Sequence, residues 1–163
     1  MSVMKTGLPA ALAVLAALMC SSSMAAGLLK LSRVELTMAP GEPASELYAE
    51  NVGDTPLYLN IEQHLVTNPG EYPEHLVPVT EVERPGLLVQ PSRLVLAPGQ
   101  KYQMNLKTFG TQQHTQVWRV TFRPVERVVV ANSMEGGVAA PLSISIGYGV
   151  VIYQRSGSAR SGG

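Results

Sequence analysis

From residue 28 onward, apolar residues recur at every second position in short runs broken by Pro, Gly, Asn and Asp. A period of two places successive side chains on opposite faces of an extended chain, so each run reads as a strand with one buried face. "LLKLSRVELTM" (28–38) alternates around Leu29 and Leu31, then Val34 and Leu36. After "APGEP" comes "SELYAEN" (45–51), and "NVGD" turns the chain into "PLYLNIEQHLV" (56–66), with Leu57, Leu59 and Ile61 on one face. A Pro/Gly/Asn/Glu loop (67–86) leads to "LLVQPSRLVLAPGQ" (87–100) and "KYQMNLKTF" (101–109), where Tyr102, Met104 and Leu106 share a face. "QVWRVTFR" (116–123) aligns Trp118, Val120 and Phe122, and a looser stretch (124–141) precedes "PLSISIGYGVVIY" (141–153). That is about seven strands with a turn signal every ten residues or so and no convincing helix. The pattern predicts an all-β sandwich.

The first 25 residues stand apart. Lys5, an apolar run from Leu8 to Met19 and the small-residue exit Ser23-Met24-Ala25 predict a secretory signal cut after Ala25. About 12 apolar residues are too few for a bilayer core that needs roughly 20. Cys20 lacks the neighbours of a lipid-attachment site, since Ala17 and Met19 occupy the positions that would carry leucine and a small residue. The only cysteine therefore leaves with the signal, and the mature chain has no disulfide even in a compartment that permits one. It must rest on a hydrophobic core, for which about 138 residues suffice. The expected organisation is a signal over 1–25, one domain over 26–155 and a flexible Ser/Gly/Arg tail over 156–163.

Charge excludes further classes. Lys and Arg number 12, as do Asp and Glu, and only Lys5 is lost with the signal. Neither a nucleic-acid surface nor an acidic, calcium-rich one is expected. No later segment is apolar enough for stable membrane insertion. Gly-x-Ser-x-Gly, phosphate-loop and His-Glu-x-x-His patterns are missing, as is a cysteine nucleophile, so no enzyme is predicted. His64, His75 and His114 lie in separate segments without ligand spacing. With Met38, Met104 and Met134 they define an alternative, a soft copper site on a small sandwich. Methionines at strand spacing usually serve the core instead. No metal or other cofactor is expected.

The last strand raises the sharpest question. Leu142, Ile144, Ile146, Tyr148, Val150 and Ile152 occupy one face, while Ser143, Ser145, Gly147 and Gly149 leave the other almost bare. An ordinary central strand would bury the apolar face in its own core. An exposed one would be an aggregation hazard, or a strand offered to a partner's sheet. Periodicity alone leaves both open.

Taken in order, these segments resemble the N-terminal domain of the PapD-like periplasmic pilus chaperones. "LKLSRVELTMAPGEPASELYAENVGDTPLYLNIE" is similar to the family's opening, "LLVQPSRLVLAPGQKYQMNLKTF" to its central Pro-Gly passage, "VWRVTFRPVE" to its penultimate strand and "SISIGYGVVIYQRS" to its last. The resemblance spans about residues 28–155. It implies an immunoglobulin-like β-sandwich in the periplasm. It also implies a mechanism without cofactor: the last strand is lent to a pilus subunit that lacks one, until an outer-membrane usher passes the subunit to the fibre. The donor side chains would be Leu142, Ile144 and Ile146, with Tyr148 as a further candidate. Each is worth roughly 1.5–3 kcal/mol when buried in a groove.

The family also grips the subunit's terminal carboxylate with a basic pair. Arg33 matches the first-strand arginine, and a guanidinium suits a carboxylate through its two-pronged geometry. The lysine of the last strand has no counterpart: no Lys or Arg lies between Pro141 and Gln154, and Arg155 comes just past it. Family members normally carry a second sandwich domain, whereas only "RSGSARSGG" follows here, so a single-domain chaperone is expected. An alternative of the same fold is a structural pilus component whose last strand stays inserted in a neighbour.

Overall fold

Three of the seven extended runs break in the middle, and at each break the chain changes sheet. The computed structural model describes residues 27–125 and 146–157. Their strands are β1 (Leu29–Leu31), β2 (Glu35–Met38), β3 (Tyr48–Asn51), β4 (Leu57–Val66), β5 (Leu76–Pro78), β6 (Leu87–Gln90), β7 (Arg93–Leu96), β8 (Lys101–Gln103), β9 (Asn105–Thr108), β10 (Gln116–Pro124) and β11 (Tyr148–Gln154). A single 3-10 turn, Val79–Glu81, is the only helical element among the described residues. No helix among them is long and apolar enough to cross a membrane.

The largest sheet runs β2-β11-β10-β4-β5, with β7 also paired to β4. A second sheet has the order β1-β3-β8, and β6 pairs with β9 in a third. The first run thus starts in the second sheet as β1 and ends in the first as β2. The stretch 87–96 breaks at the cis Gln90–Pro91 bond, β6 pairing with β9 and β7 with β4. The stretch 101–108 breaks at Met104, whose N–H donates to the Leu47 carbonyl at 2.8 Å. Because β8 and β9 are one line of chain, the two smaller sheets form a continuous layer facing the large one. This is an immunoglobulin-type sandwich. Seven runs, three of them split, plus the short β5 inside the 67–86 loop account for the eleven strands.

The core follows the alternation of the longest strands. Leu57, Leu59 and Ile61 on β4 meet Trp118, Val120 and Phe122 on β10 and Val150 and Ile152 on β11, all buried. Two residues depart from the predicted faces. Val34 is 70% exposed, since the bend at 32–34 that carries the chain between sheets interrupts its period. Tyr102 is exposed, although Met104 and Leu106 are buried, because the break at Met104 separates its strand from theirs.

Three buried amides join these elements. Gln63 on β4 accepts from the Val89 N–H (3.0 Å) and donates to the Leu87 carbonyl (2.9 Å), treating β6 as a neighbouring strand would. Gln154 accepts from the Trp118 indole N–H (3.1 Å) and donates to the Gly86 carbonyl (2.7 Å). Asn51 on β3 accepts from the N–H groups of Leu28 and Gly53 and donates to the carbonyls of Thr55 and Leu96. Buried amides are tolerated when their donors and acceptors are paired in this way.

Candidate functional site

The site centres on the start of β11. The strand pairs antiparallel with β10, from Tyr148 opposite Phe122 to Gln154 opposite Gln116. On its other side β2 joins it in parallel, but only from Val151, opposite Glu35, to Gln154. The Val151 N–H donates to the Val34 carbonyl at 2.9 Å. Above that point the first run has already crossed to the other layer as β1. Among the described residues, therefore, no strand flanks β11 at 148–150 on the β2 side. Val151 directs its N–H to that side. Along an antiparallel pair the direction alternates residue by residue, so Gly149 aims its backbone groups the same way. The result is a short open edge on an otherwise interior strand.

The even-numbered face of this strand changes character along its length. Ile152 and Val150 are wholly buried, and Tyr148 is half-buried against the same core. Ile146, the next in the series, is 63% exposed. Leu142 and Ile144, and the rest of 126–145, lie outside the described residues. Of the four expected donor side chains, then, Ile146 is displayed to solvent and Tyr148 is largely engaged by its own domain.

Arg33 is exposed at the bend between β1 and β2, two residues ahead of Glu35. It precedes the paired part of β2, which begins at Glu35 opposite Val151. Among the described residues no carboxylate forms an ion pair with it. The other flank carries a cation that the strand itself lacks. A side chain built at Gly147 would meet Thr121 Cγ2 at 2.9 Å and Arg123 Nη1 at 3.9 Å, so Arg123 of β10 lies against β11. Arg123 Nε donates to Glu62 Oε2 at 3.2 Å, which partly neutralises it. Arg123 belongs to the outward positions of "QVWRVTFR", but its place beside Gly147 depends on strand register, which no local pattern reveals.

Other candidates scatter. His75 and His114 are exposed on separate loops, and His64 is on the outer face of β4. Met38 and Met104 are buried in the core, and Met134 lies outside the described residues. Among the described residues no three His, Cys, Asp or Glu side chains cluster as a metal site would require. A hollow of about 270 Å³ opens at the far end of β11, lined by Pro40, Glu42, Thr111, Gln112, Gln154 and Arg155. Gly157 packs there, near Thr111 and Pro40, while residues 158–163 of the expected tail lie outside the described residues.

No protein-family model matches the sequence, and no curated protein matches it. Solved structures do. The class 5 fimbriae chaperone CfaA is 21% identical with a TM-score of 0.61, the match covering 77% of this chain and 55% of that one. The CsuC–CsuE chaperone–tip adhesion subunit complex of Acinetobacter baumannii gives 14% identity and a TM-score of 0.59, covering 83% and 60%. The SafA pilin–SafB chaperone complex of Salmonella enterica gives 16% and 0.54, covering 82% and 56%. At such identities the likeness is one of fold, and the chain spans between 55% and 60% of the length of these matches. The protein has the PapD-like sandwich fold that these structures share.

Proposed function

We propose that this protein is a periplasmic chaperone for pilus subunits that caps a subunit's open groove with the segment leading into β11. The observation that carries the reading is the division of the last strand. Val150 and Ile152 complete the protein's own core, while Ile146 emerges 63% exposed beside a backbone edge that β2 has left open. A strand anchored at one end and displayed at the other is suited to β-augmentation, in which backbone pairing supplies affinity and alternate side chains supply specificity. Leu142, Ile144 and Ile146 are the donor residues in this reading. Tyr148 is the hinge between core and donor segment, Arg33 grips a subunit carboxylate, and an usher receives the subunit. Residues 1–25 direct export, and no catalytic step or cofactor is involved. CfaA, CsuC and SafB, whose fold the protein shares, are chaperones of fimbriae or pili, and two of them have been captured with a subunit.

Co-purification tests the reading. The full chain is co-expressed in a bacterial periplasm with the pilus-type subunits encoded beside its gene. A one-to-one complex is expected by size and mass. The double variant Ile144→Asp/Ile146→Asp should abolish it without changing the thermal unfolding midpoint of the free chaperone, and Arg33→Ala should lower its yield. Capture that survives the double aspartate variant would remove the donor assignment. Stable self-assembly without subunits would favour a structural pilus component instead.

A further inference from the structure

Gly149 lies within β11 and is exposed, and no contact among the described residues calls for a glycine there. It is not among the glycines with positive φ, and a side chain built on it would meet no atom of the described residues within 4 Å. Gly147 differs, because its side chain would strike Thr121 Cγ2 at 2.9 Å. Glycine within a strand weakens it, and a β-branched residue at an open, extended position would strengthen it. The bare site opens on the outer face, opposite Thr121 on β10 and two residues before Val151, both half-buried. It also sits on the edge that β2 leaves unpaired. Glycine within a strand often marks a place where another backbone approaches closely, and a large side chain of an adjacent strand can cover a glycine at a sheet edge.

We propose that Gly149 is a specificity slot: a partner strand pairs with the open edge at the start of β11, around Gly149, and lays an aromatic or large apolar side chain across it. The occupant is a strand of the captured subunit, because the edge is continuous with the segment that the chaperone reading assigns to the donor; the inference rests on that reading. Glycine is retained because any side chain there would fill the space the subunit needs. Stability and capture should therefore respond to substitution with opposite sign.

The test compares Gly149→Val and Gly149→Ala with the unaltered chain and with Ile146→Asp, each co-expressed with the same subunits. Gly149→Val is expected to keep or raise the thermal midpoint of the free chaperone by a few degrees. It should lower complex yield about tenfold, equivalent to about 1.4 kcal/mol. Gly149→Ala should fall between it and the unaltered chain. Undiminished capture by Gly149→Val, alongside loss by Ile146→Asp, would overturn the slot and leave the donor reading standing. A lowered midpoint in Gly149→Val would also overturn it, by showing that the glycine serves the fold. Loss of a self-associated species rather than a subunit complex would make a second copy the occupant. An unaltered chain that captures no subunit would end both readings.

Discussion

Asn51 makes four hydrogen bonds with one buried side chain, two accepted from N–H groups and two donated to carbonyls. Those partners belong to the chain before β1, to the turn after β3 and to β7, so a single amide links both layers at one end of the sandwich. The neighbouring turn, Ala97-Pro98-Gly99-Gln100, has Gly99 at φ 75°, as a type II turn requires after proline. The Gly99 N–H donates to the Asn51 carbonyl at 2.8 Å, so the turn and the amide support each other. Truncating the side chain would leave the buried Gly53 N–H and Leu96 carbonyl without that partner, and the part-buried Leu28 N–H and Thr55 carbonyl as well. Asn51→Ala is expected to destabilise the protein by about 2–4 kcal/mol in urea unfolding. A loss below about 0.5 kcal/mol would mean that water replaces the amide. The sequence places an Asn at a strand end before a Gly-Asp turn, but its cross-layer partners are invisible there.

At the scale of elements, β10 is held from both faces. Inward, its three large side chains form the centre of the core. Outward, Arg119 makes a two-pronged contact with Glu74, through Nε at 2.6 Å and through Nη2, tying the connection between β4 and β5 to the strand. The hydrogen bond from Arg119 holds the Glu74 carboxyl below its ordinary value of 4.5, against a smaller opposing effect of desolvation. A lowered folded-state value means that the contact stabilises fully above the unfolded-state value and is lost as pH falls through the folded one. Both side chains are about a third exposed, so the contribution is modest and weakened by salt. Glu74→Gln should therefore unfold at a slightly lower temperature than the unaltered protein near pH ~6, with the difference closing below about pH 4. A difference that persists unchanged into acid would show that the carboxylate charge is not what matters. The last strand teaches a related lesson. Its alternation is uniform from Leu142 to Ile152, yet Val150 is wholly buried and Ile146 is 63% exposed. Hydrophobic period reports which side chains share a face, not what lies opposite.

Across the whole molecule, the sandwich is closed by pairings between distant parts of the chain. β2 near the beginning of the described chain joins β11 at its end, with Glu35 opposite Val151. β10 bridges β4 and β11. Such non-local pairing must overcome loop-closure entropy before its contacts form. Refolding is therefore expected on a time scale of about milliseconds to seconds. Trp118 is the single tryptophan and is fully buried, so stopped-flow fluorescence reads the closure directly. Relaxation complete within about 100 μs would contradict a topology-limited search.

The sequence by itself determined the class of fold and most of the core, because both depend on local quantities. Side chains of an extended chain alternate in direction, so Leu57, Leu59 and Ile61, or Trp118, Val120 and Phe122, must share a face wherever their strands lie. Turn residues set the strand lengths for equally local reasons. Only the tertiary structure decided where strands change sheets, which is why Val34 and Tyr102 are exposed despite their phase. It alone placed Arg123 beside Gly147. It alone showed that, among the described residues, no strand pairs with Gly149 on the β2 side and nothing fills the space beside it. Those facts follow from register between strands far apart in the chain, and register is decided by the packing of two layers against each other rather than by any run of neighbouring residues.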